Sequence, residues 1–258
     1  MKRWFDALPF RIGTSSYIIP DDILPNVRYL AGKVRDVELV LFDIDKYCNI
    51  PDKEQTNELI GLAEKNGLSY TVHLPLDLNF SDRDRDVSIE KAMKVITGTR
   101  ALRPHAYVCH LECKDIPESE GAALSDWQEQ RIRAVSTLAE RSGIRSGFSI
   151  ENLERYPIEW NEPVIRACGT HACLDIGHLF LRKEDPIPVI QKWLPLTSVI
   201  HLHGVGTRDH QSLRHMPKDA VRAVINELIR LDYRGVMTLE VFNETDFCES
   251  MEMIEECL

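Results

Sequence analysis

At 258 residues, with 43% hydrophobic and 28% charged residues, the chain can bury a large core without disulfides or a structural metal, and its balance excludes a disordered protein. The formal net charge of −10 argues against a dedicated polyanion-binding surface, so nucleic acid is an unlikely partner. No stretch approaches ~18 apolar residues, and the opening MKRWFDALPFRIG lacks an apolar h-region and a small-residue cleavage site, so neither a membrane partner nor a secretory leader is expected.

Short β-branched apolar runs alternate with longer amphipathic segments along the chain. Phe10–Tyr17 (FRIGTSSY) and Asp36–Asp43 (DVELVLFD) are the first two runs, followed by a helical pattern over Lys53–Asn66 that ends at Gly67. The third run, Ser69–Leu76 (SYTVHLPL), leads into a charged stretch, Asp77–Asp86, read as a loop over one end of the fold, and then a helix over Ser88–Arg100. Ala106–Glu112 (AYVCHLE) precedes a helix over Ser125–Ser142, with Asp126 early in it and Gly143 after it. Gly147–Leu153 (GFSIENL), His171–Gly177 (HACLDIG), Ser198–Val205 (SVIHLHGV) and Gly235–Phe242 (GVMTLEVF) complete eight runs, with helices over Lys218–Leu231, where Asp219 sits early, and Glu244–Cys257. Strands alternating with helices imply parallel strands joined by crossovers, and eight units in ~250 residues close an α/β (β/α)8 TIM barrel, read as one domain over residues 1–258. A doubly wound open sheet is the alternative, but no GxGxxG follows the first run. Seven scattered cysteines without a CxxC pair read as reduced thiols of a cytoplasmic protein.

In such a barrel the chemistry sits where strands end, at their C-terminal face. His73 ends the third strand, His110 the fourth and Glu151 the fifth; Asp175 and His178 close the sixth. The seventh carries His201 and His203 on one face, the loop after it Asp209 and His210, and the eighth Glu240. Any one of these alone is more often a hydrogen-bonded core residue or half of an ion pair. Together they leave buried negative charge with few Lys or Arg on the same strand ends, and a divalent cation is the simplest balancing partner. His171 and His215 read as structural, and His105 lies before its strand, on the wrong side for chemistry.

This pattern resembles the xylose-isomerase-like barrels, which include endonuclease IV, sugar epimerases and inosose dehydratases. In the epimerases a single metal is held by a Glu, an Asp, a His and a Glu on strands five to eight; Glu151, Asp175, His201 and Glu240 match those positions. Endonuclease IV adds histidines on strands three and four, a DxxH, and an Asp-x-His after strand seven. His73, His110, Asp175/His178 (DIGH) and His210 match, but the aspartate of the last motif falls at Arg208, with Asp209 as its only near substitute. The opening GTSSYIIPDDILPNVRYL, VELVLFD and YTVHLPLDL are similar to the cobamide-remodelling phosphodiesterases of this superfamily.

The resemblance implies one to three divalent ions, Zn2+ or Mn2+, held by Glu151, Asp175, His201, Glu240, His73, His110, His178 and His210. It implies a metal-dependent phosphodiesterase acting on a small molecule or cofactor, with the nucleotide loop of a cobamide as substrate. Glu151, Glu240 and His178 are the expected catalytic groups; Arg208, Arg214 and His203 are expected to bind substrate, the two arginines as a phosphate clamp or else as a solvated loop. The alternative is a sugar or sugar-phosphate isomerase or epimerase with one metal. Apurinic endonuclease activity and a non-enzymatic binding barrel rank below both. A homodimer, common in the superfamily, is the assembly to test for.

Overall fold

Eight parallel strands close into a barrel in sequence order: β1 (Arg11–Ser15), β2 (Asp36–Val40), β3 (Ser69–His73), β4 (Tyr107–Cys109), β5 (Phe148–Glu151), β6 (His171–Asp175), β7 (Thr197–Leu202) and β8 (Val236–Leu239), which pairs back with β1. The computed structural model describes residues 3–44, 46–111, 121–144 and 146–258. Each of the eight apolar runs supplies one strand, and the fold is the expected TIM barrel. The strands are shorter than the runs because the last residues of each run leave the ladder and turn onto the barrel mouth. Glu112 and Cys113 lie outside the described residues.

Around the strands stand α1 (Ile23–Leu30), α2 (Lys53–Asn66), α3 (Arg85–Thr99), α4 (Ala122–Ser142), α5 (Glu162–Cys168), α6 (Ile176–Leu181), α7 (Pro186–Trp193), α8 (Lys218–Arg230) and α9 (Glu244–Cys257). Local chemistry sets their ends. Asp52 accepts from the Gln55 backbone N–H and Gln55 reciprocates in a capping box, while Gly67 closes α2 in the left-handed region at φ 63°. Asp219 sits in the first turn of α8, but Asp126 does not occupy the start of α4, which begins earlier, at Ala122. The stretch Asp77–Asp86 is tied to the outer helices: Lys91 of α3 reaches Asp77 at 2.5 Å and Arg133 of α4 reaches Asp82 at 2.8 Å.

Parallel strands covered on both faces are buried throughout, as β2 is over its whole length. Their outward residues and the helices form the main core, in which Val72, Val95, Val164, Ile190, Val224 and Ile254 are fully buried. Inside the barrel Ala106, Val108, Cys173 and Val199 form a separate apolar cluster. Side chains on a strand alternate, so the residue two positions on shares the same inward face, one layer nearer the mouth. Val108 leads to His110, Ser149 to Glu151, Cys173 to Asp175, Val199 to His201 and then His203, and Thr238 to Glu240. One plug layer thus carries one layer of chemistry. Among the described residues no helix is long and apolar enough to cross a membrane.

Candidate metal centre

The layer above the plug brings six of the nine histidines together with three carboxylates. Three groups have ligand atoms within 4.8 Å of one another: His73, His110 and Glu151; Glu151, Asp175, His201 and Glu240; and His178, His203 and His210. A fourth, Glu151, Cys173 and His201, includes a thiol whose pKa burial pushes well above its ordinary value, which leaves it a neutral S–H in the layer below.

Glu151 is the hinge of the arrangement. It is 1% exposed, and its Oε2 lies 3.3 Å from His73 Nε2, 3.1 Å from His110 Nε2 and 3.5 Å from His201 Nδ1. One carboxylate oxygen thus faces imidazoles from three strands. Glu240 Oε2 stands 3.1 Å from His201 Nδ1 and 3.6 Å from His210 Nδ1, and Asp175 Oδ2 3.5 Å from His178 Nδ1. Among the described residues neither Lys nor Arg pairs with Glu151, Asp175 or Glu240, so these carboxylates are not halves of ordinary salt bridges.

The DIGH segment shows how sequence places two of these groups. Asp175 is the N-cap of α6, its Oδ1 accepting the His178 backbone N–H at 2.7 Å, so the first helical turn brings His178 back over the carboxylate. Asn152 holds both: its amide pairs with the Asp175 backbone in both directions, at 2.8 and 2.9 Å, and its carbonyl lies 2.9 Å from His178 Nδ1. Gly177 is obligatory there, since a Cβ would fall 2.2 Å from the His203 ring. His203, expected to touch substrate, is fully buried, 3.4 Å from Asp175 Oδ1, with its ring 4.2 Å from that of His210. It joins His178 and His210 in the third group, while Asp209 stands with its Oδ2 3.8 Å from His210 Nε2.

Arg208 is 59% exposed at its side chain, 4.0 Å from Asp246. Arg214 is held by Glu252 and Glu256, the latter at 2.6 Å, so its guanidinium is occupied on the face of α9 and is not among the converging groups. His105 and His171 line a cavity at the N-terminal end of the barrel, and His215 is the last residue of a short turn before α8, consistent with structural roles.

Two observations indicate that the residues fit cations. Glu240 Oε2, Asp175 Oδ2, His201 Nδ1, His203 Nε2 and His210 Nδ1 are buried without a hydrogen-bond partner, although they crowd together, which is costly unless something positive sits among them. The electrostatics agree. Burial opposes charge on His73, yet Glu151 overrides it and lifts the pKa to about 9; Asp175 and Glu151 do the same for His178, also to about 9. Burial would raise the Glu151 carboxyl, but His110 and His201 hold it well below the usual range. Protons on the imidazoles therefore balance the carboxylates in the absence of metal, and cations can take over that role.

Sequence reasoning missed Glu38. It lies on β2, fully buried, and its Oε2 is 3.0 Å from His201 Nε2, the nitrogen opposite the one facing Glu151 and Glu240. The signal was the alternation in DVELV, which puts Asp36 and Glu38 on one face of a buried strand. A carboxylate behind a ligating imidazole fixes its tautomer and raises its basicity. Glu38→Gln is expected to weaken metal binding about tenfold to a hundredfold, read by competition with a chelating dye. An unchanged affinity would show that Glu38 only fills space.

Residues 35–257 match the family described as the xylose isomerase-like TIM barrel. Among solved structures the chain is similar to a D-tagatose 3-epimerase-like protein, at 19% identity over 96% of this chain and 97% of that one, with TM-score 0.76. It is similar to D-psicose 3-epimerase from Clostridium cellulolyticum H10, at 15% identity over 96% and 98%, TM-score 0.73. Endonuclease IV from Thermus thermophilus gives 17% identity over 95% and 99%, TM-score 0.72. No curated protein matches. At these identities the likeness is one of fold. Sugar epimerases are the more numerous among these relatives, and none of those named is described as acting on a cobamide.

Proposed function

The chain belongs to the xylose isomerase-like TIM barrel family, and from that premise we propose that it is a divalent-metal-dependent enzyme that hydrolyses a phosphodiester in a small molecule or cofactor. One observation supports the choice of hydrolysis: Glu151 Oε2 lies within 3.5 Å of His73, His110 and His201, so Glu151 belongs to two candidate ligand groups at once and could serve two ions. A proton shuttle beside a carbonyl needs one metal and two carboxylates, and has no use for the extra imidazoles. Glu151, His73 and His110 would hold one ion; Glu151, Asp175, His201 and Glu240 a second; His178, His203 and His210 a third. The imidazole-rich outer groups suit Zn2+, and the carboxylate-rich quartet suits Zn2+ or Mn2+. When bound, such ions polarise phosphoryl oxygens and acidify water.

The chain's own residues do the rest. Glu151 and Glu240 both bring carboxylate charge against His201 Nδ1, at 3.5 and 3.1 Å, and Asn152 with the start of α6 holds the orientation of His178. His110 and His210 are the ligand candidates most open to the mouth, at 15% and 22% side-chain exposure, so substrate enters on their side. The finer reading, cleavage in the nucleotide loop of a cobamide, rests on the N-terminal resemblance. Its test is incubation of metal-analysed protein with an intact cobamide, watching for the base-off absorbance shift.

His110→Ala is expected to remove one ion per chain and to lower phosphodiester cleavage by about a hundredfold, measured by elemental analysis beside turnover. A single ion in the wild type, with the variant fully active, would sink this reading. The second reading, a sugar isomerase or epimerase, draws support from the epimerase relatives and from the quartet Glu151, Asp175, His201 and Glu240, which needs only one ion. It predicts solvent proton exchange into a ketose, and no turnover across a ketose panel would exclude it.

A further inference from the structure

The mouth has two unlike halves. The ligating groups come from β3 to β8, whereas the residues following β8, β1, β2 and β3, four strands adjacent in the ring, enclose a cavity of about 680 Å³. Its walls are apolar: Tyr17 and Ile18 after β1, Val40 and Phe42 at the end of β2, Leu76 after β3 and Phe242 after β8. Tyr17 and Phe42 meet edge to face at 6.0 Å and 70°, while Leu76 and Phe242 stay 47% and 39% exposed in spite of their size. The cavity adjoins the metal centre through Phe242, whose ring centroid lies 5.4 Å from that of His210.

Most polar groups around this cavity are already used; the one ionised side chain lining it is the exposed Asp21, whose Oδ1 accepts from the Asp22 N–H at 2.8 Å. The backbone N–H groups of Ile18 and Ile19 both donate to Asn26 Oδ1, at 2.8 and 2.9 Å. The Val40 carbonyl and the Phe42 N–H are taken by the Asn49 side chain, which also donates to the Tyr17 hydroxyl at 2.8 Å. Asn243 caps α9, accepting from the Asp246 N–H at 2.9 Å and donating to the Asp246 carboxylate at 2.6 Å. A hydroxyl-rich group entering here loses its water and finds few replacement partners, whereas a flat apolar ring gains burial and aromatic contact. The volume lies within the range of small-molecule sites.

We propose that this cavity is the substrate's second subsite and that it takes a flat aromatic or heteroaromatic ring carried next to the bond cleaved at the metal centre. The proposal deepens the hydrolase reading and rests on it for the cleaved bond, but ring binding can be read without any reaction. The test is titration of the full chain as purified with indole, followed by ligand-observed NMR and calorimetry, with D-xylose as the polar control. Saturable indole binding is expected, weakened roughly tenfold both in Leu76→Trp, which fills the cavity from an exposed position, and in Phe242→Ala, which removes a wall. D-xylose should not compete. Indole binding that persists when no phosphodiester is cleaved supports the subsite and counts only against the hydrolase reading. Indole binding absent in the wild type, or equal in both folded variants, or displaced by D-xylose, overturns the subsite even if phosphodiesters are cleaved.

Discussion

Glu151→Gln is expected to lower turnover by about a thousandfold and to strip the protein of more than one ion per chain, a larger effect than loss of a residue behind a ligand, for which about tenfold to a hundredfold is usual. The side chain keeps its shape but loses its charge, and the oxygen facing His73, His110 and His201 belongs to a group shared by two of the three candidate ion positions. The fold should survive. Stranding a buried charge can cost about 3–5 kcal/mol, but an imidazole can shed its proton where an arginine cannot, so His73 and its neighbours relax towards neutrality and recover part of that cost. Elemental analysis of the variant, with turnover at saturating metal and a melting curve, separates these effects. Wild-type metal content with wild-type turnover would remove Glu151 from the centre of the argument.

The barrel was legible because a period-two apolar run looks the same whatever it packs against, and eight of them alternating with helical patterns leave few topologies. The converging residues were legible for a related reason: a histidine or carboxylate two positions beyond a small inward residue, as in Cys173 to Asp175, points to the mouth. Glu38 escaped because its role depends on the far nitrogen of His201, a contact between strands β2 and β7 that are remote in sequence. The position of His203 was hidden for a similar reason. It shares a face with His201, but only the α6 turn, and the absence of a side chain at Gly177, places its ring beside His178 and His210. The basic residues Arg208 and Arg214 look alike on paper; which of them has carboxylates within reach is decided by the packing of α9. The ties of the loop after β3 could not be read in advance, because its partners, Lys91 and Arg133, lie on two helices further along the chain.

Removing the metal should change both stability and its pH dependence. In the metal-free protein His73 and His178 titrate at about 9, above the ordinary value of 6.5, so their ion pairing contributes fully below about 6.5 and is lost as pH rises through about 9. Glu151 and Asp175 are displaced the other way, below ordinary values of 4.5 and 3.8, so their contribution is full above those values and is lost as pH falls through the depressed ones. The metal-free protein is therefore most stable between roughly pH 4.5 and 6.5. A cation displaces the imidazole protons, so its affinity climbs as pH rises from about 6.5 to about 9 and then levels off. Over that interval the metal-free form weakens while the loaded form, which like the unfolded chain carries no proton on these imidazoles, holds steady, and the gap between them widens. With metal at about a thousand times Kd the gap is near 4 kcal/mol, or roughly ten degrees in Tm for a chain of this size. Calorimetry of chelator-treated and reconstituted protein at about pH 6, 7.5 and 9 measures it, with proton release on metal addition as the companion reading. A gap that stays constant or shrinks over this range would mean that protons and cations do not compete for these imidazoles, and the six histidines at the mouth would then need another explanation.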